Sequence, residues 1–248
     1  MEPIAKVSSI FIYPIKSCRG ISVSHAPLTP TGFRWDRNWL VVNYKGRAYT
    51  QRVEPKLALV EIELPHEAFF DGWEPTKKSY MVIKAPGMGV LNIPMTKPQA
   101  VADGVSVWEW SGSALDEGAE AAKWFSDYLG KPSRLMRFNP ESETRPVDPN
   151  YAPGHNTMFA DLFPYMLISQ IPTINQATGV AGSEPNETLM KIHSDKVLRP
   201  DKKQQGKIYF GQNMVWKDNL NGGKGNTVNV GDPVFVVRKV SSAAEAAA

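Results

Sequence analysis

Between Val7 and Met95 the chain is broken by Gly and Pro into short runs of β-branched and aromatic residues, a pattern that specifies antiparallel sheet rather than βαβ units. Strands are expected at 7–14, 39–43, 48–52, 57–64, 79–84 and 90–94. Two turn signals link them: "NYKGRAY", where Gly46 supplies a positive φ, and "APGMG". Such a chain folds as a sheet of hairpins, and 42% hydrophobic residues in a length of 248 can fill its core.

After "VSVWEW" the pattern changes. Ser113 is a suitable N-cap, Asp116 and Glu117 suit the positive end of a helix, and Ala122, Phe125 and Leu129 recur at helical spacing before Gly130. One amphipathic helix on the sheet is the expectation. Residues 139–156 hold four prolines and almost no aliphatic side chain, which reads as a linker between a first region, 1–138, and a second, 157–240, with a frayed tail at 241–248. In the second region "FPYMLIS", "GKIYFGQNMVW" and "VGDPVFVVRKV" read as strands, and "PNETLMKIHSD", with Pro185 near its start, as a short helix. The class is mainly β with a few helices (α+β), and the second region has too few strands to close a barrel.

Lys and Arg number 28 against 25 Asp and Glu, so the net charge of +3 gives little support to a nucleic-acid or anionic-membrane partner. No run approaches the ~20 apolar residues of a membrane span, and "MEPIAKVSSI" has neither secretory nor transit character, which makes the cytoplasm the default compartment. A single cysteine excludes an internal disulfide framework and any zinc site of several thiolates. The four histidines have no paired ligand spacing, and no P-loop, G-x-S-x-G or H-E-x-x-H occurs. "VWEW" and "KWF" read as core or sheet packing rather than base-stacking platforms.

Charge is concentrated locally. Lys16, Arg19, Arg34 and Arg37 sit at the exit of one strand and the start of another, where hairpin topology can bring them together. Lys16 offers an ammonium, Ser17 a hydroxyl and Arg37 a planar fork, the groups that bind a phosphate; a solvated basic rim is the other reading. Cys18 lies two positions after Lys16 and one before Arg19, which favours a thiolate, while a lone cysteine also serves as a small buried hydrophobe.

In order along the chain, "IYPIKSCRG", "WDRNWLVV", "TQRVEPKLALV", "IPTINQATG", "GSEPNETLMK" and "FGQNMVW…VGDPVFVV" resemble proteins with a MOSC N-terminal β-barrel region followed by a MOSC domain. The resemblance is closest to plant members related to the amidoxime-reducing components and to the C-terminal part of the molybdenum cofactor sulfurases. It implies a β-barrel region plus an incomplete MOSC β-barrel, and a molybdenum-bearing pterin (molybdopterin) as cofactor. The Lys-Ser pair of the motif falls on Lys16 and Ser17 and its Asp-Arg arginine on Arg37. Its segment before the "LIS" strand falls on Asp161, Leu162 and Phe163, and a later contact on Asn213.

The resemblance also implies what this chain lacks. Relatives carry an Arg-Pro-Asn motif and a molybdenum-ligating cysteine between the strand like "FPYMLIS" and the segment like "IPTINQATG"; here Gln170 runs directly into Ile171. Cys18, beside the phosphate anchor, is not a counterpart of that ligand. Two functions follow as expectations. One is a molybdenum oxidoreductase that reduces N-hydroxylated compounds with electrons from a cytochrome b5 type partner, as a monomer, in the cytoplasm or associated with mitochondria. The other is a non-catalytic shortened form that binds the pterin phosphate or nothing. Pyridoxal phosphate is a weaker expectation, because MOSC domains also occur joined to a pyridoxal-dependent desulfurase.

Overall fold

A computed structural model of the chain describes residues 2–168, 211–217 and 226–236, which form two compact units, one of residues 1–164 and 215–248 and one of Tyr165–Met214. The described residues are mostly β with a single α-helix.

The first unit is organised by the strand Trp39–Asn43. It is the edge of a four-stranded antiparallel sheet whose other strands, moving away from it, are Ser133–Arg137, Trp110–Asp116 and Val101–Val107. Its first four residues, WLVV, are an unbroken apolar run because both faces are covered there. Trp39 and Val41 enter one core with Ile15, Leu57, Met81, Ile83 and Leu135. Leu40 and Val42 enter a second with Val105, Met136, Phe138 and Phe159.

The expected hairpins form. Gly46 has φ +79°, its N–H donates to the Asn43 carbonyl at 2.9 Å, and a Cβ there would lie 2.3 Å from the Gly104 oxygen, so only glycine fits. Gly87 has φ +76° in the turn joining Tyr80–Lys84 to Leu91–Pro94, and Glu61–Glu63 completes that three-stranded sheet. The strand expected at 48–52 is reduced to a bridge between Ala48 and Val42. That expected at 57–64 shortens to Glu61–Glu63, because Pro55 opens a 3-10 turn over Pro55–Leu59. That at 7–14 shortens to Ile10–Ile12, short of Pro14.

The helix runs Ala119–Leu129, with Ala121, Trp124, Phe125 and Leu129 buried and Gly130 in the left-handed conformation at its end. Its N-terminus differs from expectation. Ser113 lies in the strand Trp110–Asp116, where its N–H and hydroxyl both donate to Glu143, at 2.8 and 2.6 Å; the cap position is Gly118, with φ +95°. A distant carboxylate thus claims the groups that suited Ser113 to a cap.

Residues 139–156, expected as a linker, are folded into the first unit, with Arg145, Val147, Ala152 and His155 buried. The C-terminal strands belong to it as well: Thr227–Asn229 pairs with His25–Thr29, and Pro233–Val234 with Ala5–Lys6. In the second unit, Tyr165–Leu167 pairs antiparallel with Gln212–Met214. The expected helix at 185–195 and the junction Gln170–Ile171 lie outside the described residues.

Candidate functional site

The site is built on turns that leave the strand Ile10–Ile12. Ile15 bridges to Trp39, the Lys16 N–H donates to the Trp39 carbonyl at 2.8 Å, and the Trp39 N–H donates to the Pro14 carbonyl at 3.0 Å. Lys16 is thereby fixed to the buried edge of the central strand. The Cys18 N–H closes a turn on the Ile15 carbonyl at 3.1 Å, with Ser17 at its third position and φ +70°. Glycine is the usual occupant of such a position, so serine there carries backbone strain. Gln51 Nε2 donates to the Ser17 carbonyl at 2.8 Å. The Ser17 N–H and hydroxyl engage no other group among the described residues.

Arg37 arrives from a second strained turn, in which Trp35 has φ +69° and Arg37 φ +52°. Its N–H donates to the Tyr13 carbonyl at 2.7 Å, its guanidinium lies 4.9 Å from the Tyr13 ring centre, and it pairs with Asp36. The Asp36 carboxylate is buried and also accepts the Tyr13 N–H at 2.7 Å. One internal anion therefore orients both the arginine and the chain that leads to Lys16.

Asp161 supplies the third side. Lys16 Nζ donates to its Oδ1 at 2.5 Å, and the Trp108 indole N–H donates to the same oxygen at 3.1 Å. The loop before it is held by buried Arg145, which donates to the carbonyls of Met158, Ala160 and Asp161. Trp108 turns the hairpin between Val101–Val107 and Trp110–Asp116 with φ +53°, and the Arg52 guanidinium lies 5.6 Å from its ring centre.

These groups enclose a cavity of about 250 Å³, lined also by Cys18, Thr50 and Gln51. Of the four non-glycine residues with positive φ among the described residues, three line it: Ser17, Arg37 and Trp108. Strained backbone persists where the surrounding structure holds it, and such positions gather at binding sites.

Burial and the neighbouring charges set the electrostatics of these groups. Burial pulls the Lys16 pKa below the ordinary lysine value, with Asp161 opposing the shift. Burial pushes Asp161 up, but the Lys16 charge and hydrogen bond, with Trp108, outweigh it and hold the carboxyl below its usual range. Burial pushes the Asp36 carboxyl up, against the attraction of Arg37. Burial likewise pushes the Cys18 thiol far up, so the expected stabilisation of a thiolate by Lys16 and Arg19 does not prevail.

Lys16, Ser17, Arg37 and Asp161 are thus brought together. Leu162 is exposed and Phe163 half-buried, and neither lines the cavity; Asn213 lies opposite Met166 in the second unit. The basic cluster read from the sequence divides. Arg19 pairs with Glu61, and Arg34 with Glu74 and the Trp73 carbonyl, and neither lines the cavity. Tyr13, Gln51, Arg52 and Trp108 escaped the sequence reading. For Trp108 the available signal was its place in the two-residue break of "VSVWEWSGS", where a packing role was assumed instead. Among the described residues no group of three His, Cys, Asp or Glu side chains is arranged to hold a metal ion, and no helix is long and apolar enough to cross a membrane.

The class is that of a mostly β unit whose N-terminal strands present a lysine-serine turn and an arginine to one cavity. The MOSC N-terminal beta barrel domain family matches residues 4–132, and the chain belongs to that family. It is 30% identical over 190 residues to mitochondrial amidoxime reducing component 2 of Rattus norvegicus, covering 72% of this chain and 52% of that protein. It is 31% identical over 180 residues to the Bos taurus protein of the same name, covering 68% and 50%. Against molybdenum cofactor sulfurase of Homo sapiens it is 30% identical over 146 residues, covering 55% and 14%. The chain spans about half the length of the curated amidoxime reducing components it matches.

Proposed function

We propose that this chain binds the phosphate of a molybdenum-pterin cofactor in the cavity formed by Lys16, Ser17 and Arg37. The observation that carries the reading is the convergence, in one cavity, of a buried ammonium, an unengaged N–H and hydroxyl on a strained turn, and an oriented guanidinium. Together they offer the charge-assisted and bidentate hydrogen bonds that a phosphate accepts. When bound, the cofactor supplies a redox metal; the residues here anchor and orient it. The names of the relatives, amidoxime reducing component and molybdenum cofactor sulfurase, support a molybdenum-cofactor role at the level of the family.

The donor set does not extend to the metal. Molybdenum takes a soft thiolate ligand, and Cys18, the chain's single cysteine, is buried as a thiol. We therefore read the chain as a cofactor-binding member shortened between Gln170 and Ile171. Reduction of N-hydroxylated compounds with a cytochrome b5 type donor belongs, on this reading, to relatives that keep the ligating cysteine. The monomeric state, plant origin and a cytoplasmic or mitochondrial location are parts of the same proposal.

Metal and pterin analysis of the purified chain tests it. Pterin retained by the wild type and lost in Lys16→Ala, with molybdenum below stoichiometry, is the expected result. A chain that neither retains pterin nor binds an added pterin phosphate overturns the reading, and stoichiometric molybdenum lost in Cys18→Ser overturns its second half.

A further inference from the structure

Lys16 and Asp161 are unequal partners. The Lys16 side chain is 5% exposed and that of Asp161 62%. A buried ammonium needs a counter-charge at all times. An exposed carboxylate can turn into water at little cost. The second pair in the cavity is built the other way: Asp36 is 3% exposed, sits behind Arg37 and accepts the Tyr13 N–H, so it cannot leave. Of the two carboxylates that neutralise the cavity's cations, one is fixed and one is exchangeable.

An anion entering to meet Lys16 competes with the Asp161 oxygen to which Nζ already donates at 2.5 Å. Resting on the anion-cavity reading above, we propose that Asp161 is a resident counter-ion of Lys16 which the ligand's phosphate displaces, and that this competition selects a dianionic phosphate over a monoanion. A monoanion would exchange one carboxylate-strength contact for another and gain nothing net. A dianion brings a second charge and a third oxygen, which reach Arg37 and the free N–H and hydroxyl of Ser17 while Lys16 is satisfied. Arg52, held on the Trp108 face with no carboxylate partner among the described residues, adds to the field that retains the extra charge. Trp108 shares the displaced oxygen, so its indole reports the exchange.

The test uses the full chain with inorganic phosphate and acetate as probes, read by calorimetry and tryptophan fluorescence, with Trp108→Phe identifying the reporter. Asp161→Asn keeps an acceptor oxygen for Lys16 and Trp108 but removes the charge; Asp161→Ser serves as a second uncharged variant. We expect both to bind phosphate roughly tenfold more tightly than wild type, equivalent to about 1.4 kcal/mol. We also expect acetate binding to rise by a larger factor, so that the phosphate-to-acetate preference narrows. Phosphate affinity equal to or below wild type in both variants overturns the proposal. Lys16→Ala separates the two readings: if it abolishes phosphate binding while the Asp161 variants gain none, the counter-ion role falls and the cavity stands. If Lys16→Ala binds like wild type, or wild type binds no phosphate, both fall.

Discussion

Arg137, buried against Glu117 and Trp39, yields the sharpest stability prediction. Its side chain is 9% exposed and its Nε donates to Glu117 Oε1 at 2.6 Å. Its terminal nitrogens donate to Glu117 Oε2 at 3.1 Å and to the carbonyls of Pro94, Met95 and Thr96 at 2.8, 2.9 and 3.1 Å. The guanidinium lies 4.9 Å from the Trp39 ring centre, and the Trp39 indole N–H donates to Glu117 Oε1 at 2.6 Å. Arg137→Met removes every one of these donors and leaves Glu117 buried with the indole as its remaining partner. Breaking a buried ion pair costs about 3–5 kcal/mol, at least a fifth of the ~5–15 kcal/mol that holds a domain together. The double variant Arg137→Met with Glu117→Met removes the orphaned charge but strands the Trp39 N–H, at about 1–3 kcal/mol. The double variant is thus expected to be more stable than Arg137→Met alone. Urea unfolding followed by tryptophan fluorescence, with the Glu117→Met single variant closing the cycle, measures both quantities. A loss below about 1 kcal/mol for Arg137→Met, or a double variant no better than the sum of the singles, would refute the buried-pair argument.

Two further outcomes follow from the site. Ser17→Gly relieves the φ +70° turn and is expected to raise stability by up to about 1 kcal/mol while weakening phosphate binding severalfold through loss of the hydroxyl; a less stable variant shows that the turn is not strained. Titration gives the second. The lowered Lys16 pKa means that anion binding weakens with rising pH before an ordinary lysine, near 10.5, would lose its proton, and Lys16→Arg removes that dependence. For stability the signs are set by proton counting. The unfolded chain holds the Lys16 proton to higher pH than the folded one, so stability rises with pH from the folded value up to 10.5. Asp161 is depressed, so its contribution is present above 3.8 and is lost as pH falls through the folded value. Wild type should therefore lose more stability on acidification than Asp161→Asn, and equal losses would remove Asp161 from the account.

What was legible in the sequence is what hydrophobic periodicity and turn chemistry encode locally. The run WLVV was legible as a strand and Gly46 as a turn residue, while the covering of both faces of that strand came from the structure. Lys16, Ser17 and Arg37 stood out as candidates because their side chains carry anion-binding groups, with a solvated rim as the other reading, and the structure places all three on one cavity. The failures are places where a distant group outbid a local preference. Ser113 had the composition of a cap, but Glu143, 30 residues away, accepts both of its donors in the strand. The Pro-rich segment 139–156 had the composition of a linker, yet Arg145 gives its loop a buried hydrogen-bonding centre by capping the carbonyls of Met158, Ala160 and Asp161. Neither partner is written in the segment that it organises.

The resemblance names Asp161, but not what holds it at the cavity. The charge and sequence neighbours of Asp161 are ordinary; what sets it apart is that Arg145 positions the backbone, Trp108 turns a hairpin toward it in a strained conformation, and buried Lys16 has no other carboxylate partner among the described residues. A cation buried that thoroughly must be satisfied in the empty chain as well as in the occupied one. On the proposed reading, a phosphate site built on a buried lysine requires an internal anion that can withdraw. A site whose cations all faced water would need none, and would lose with it the ability to refuse a monoanion.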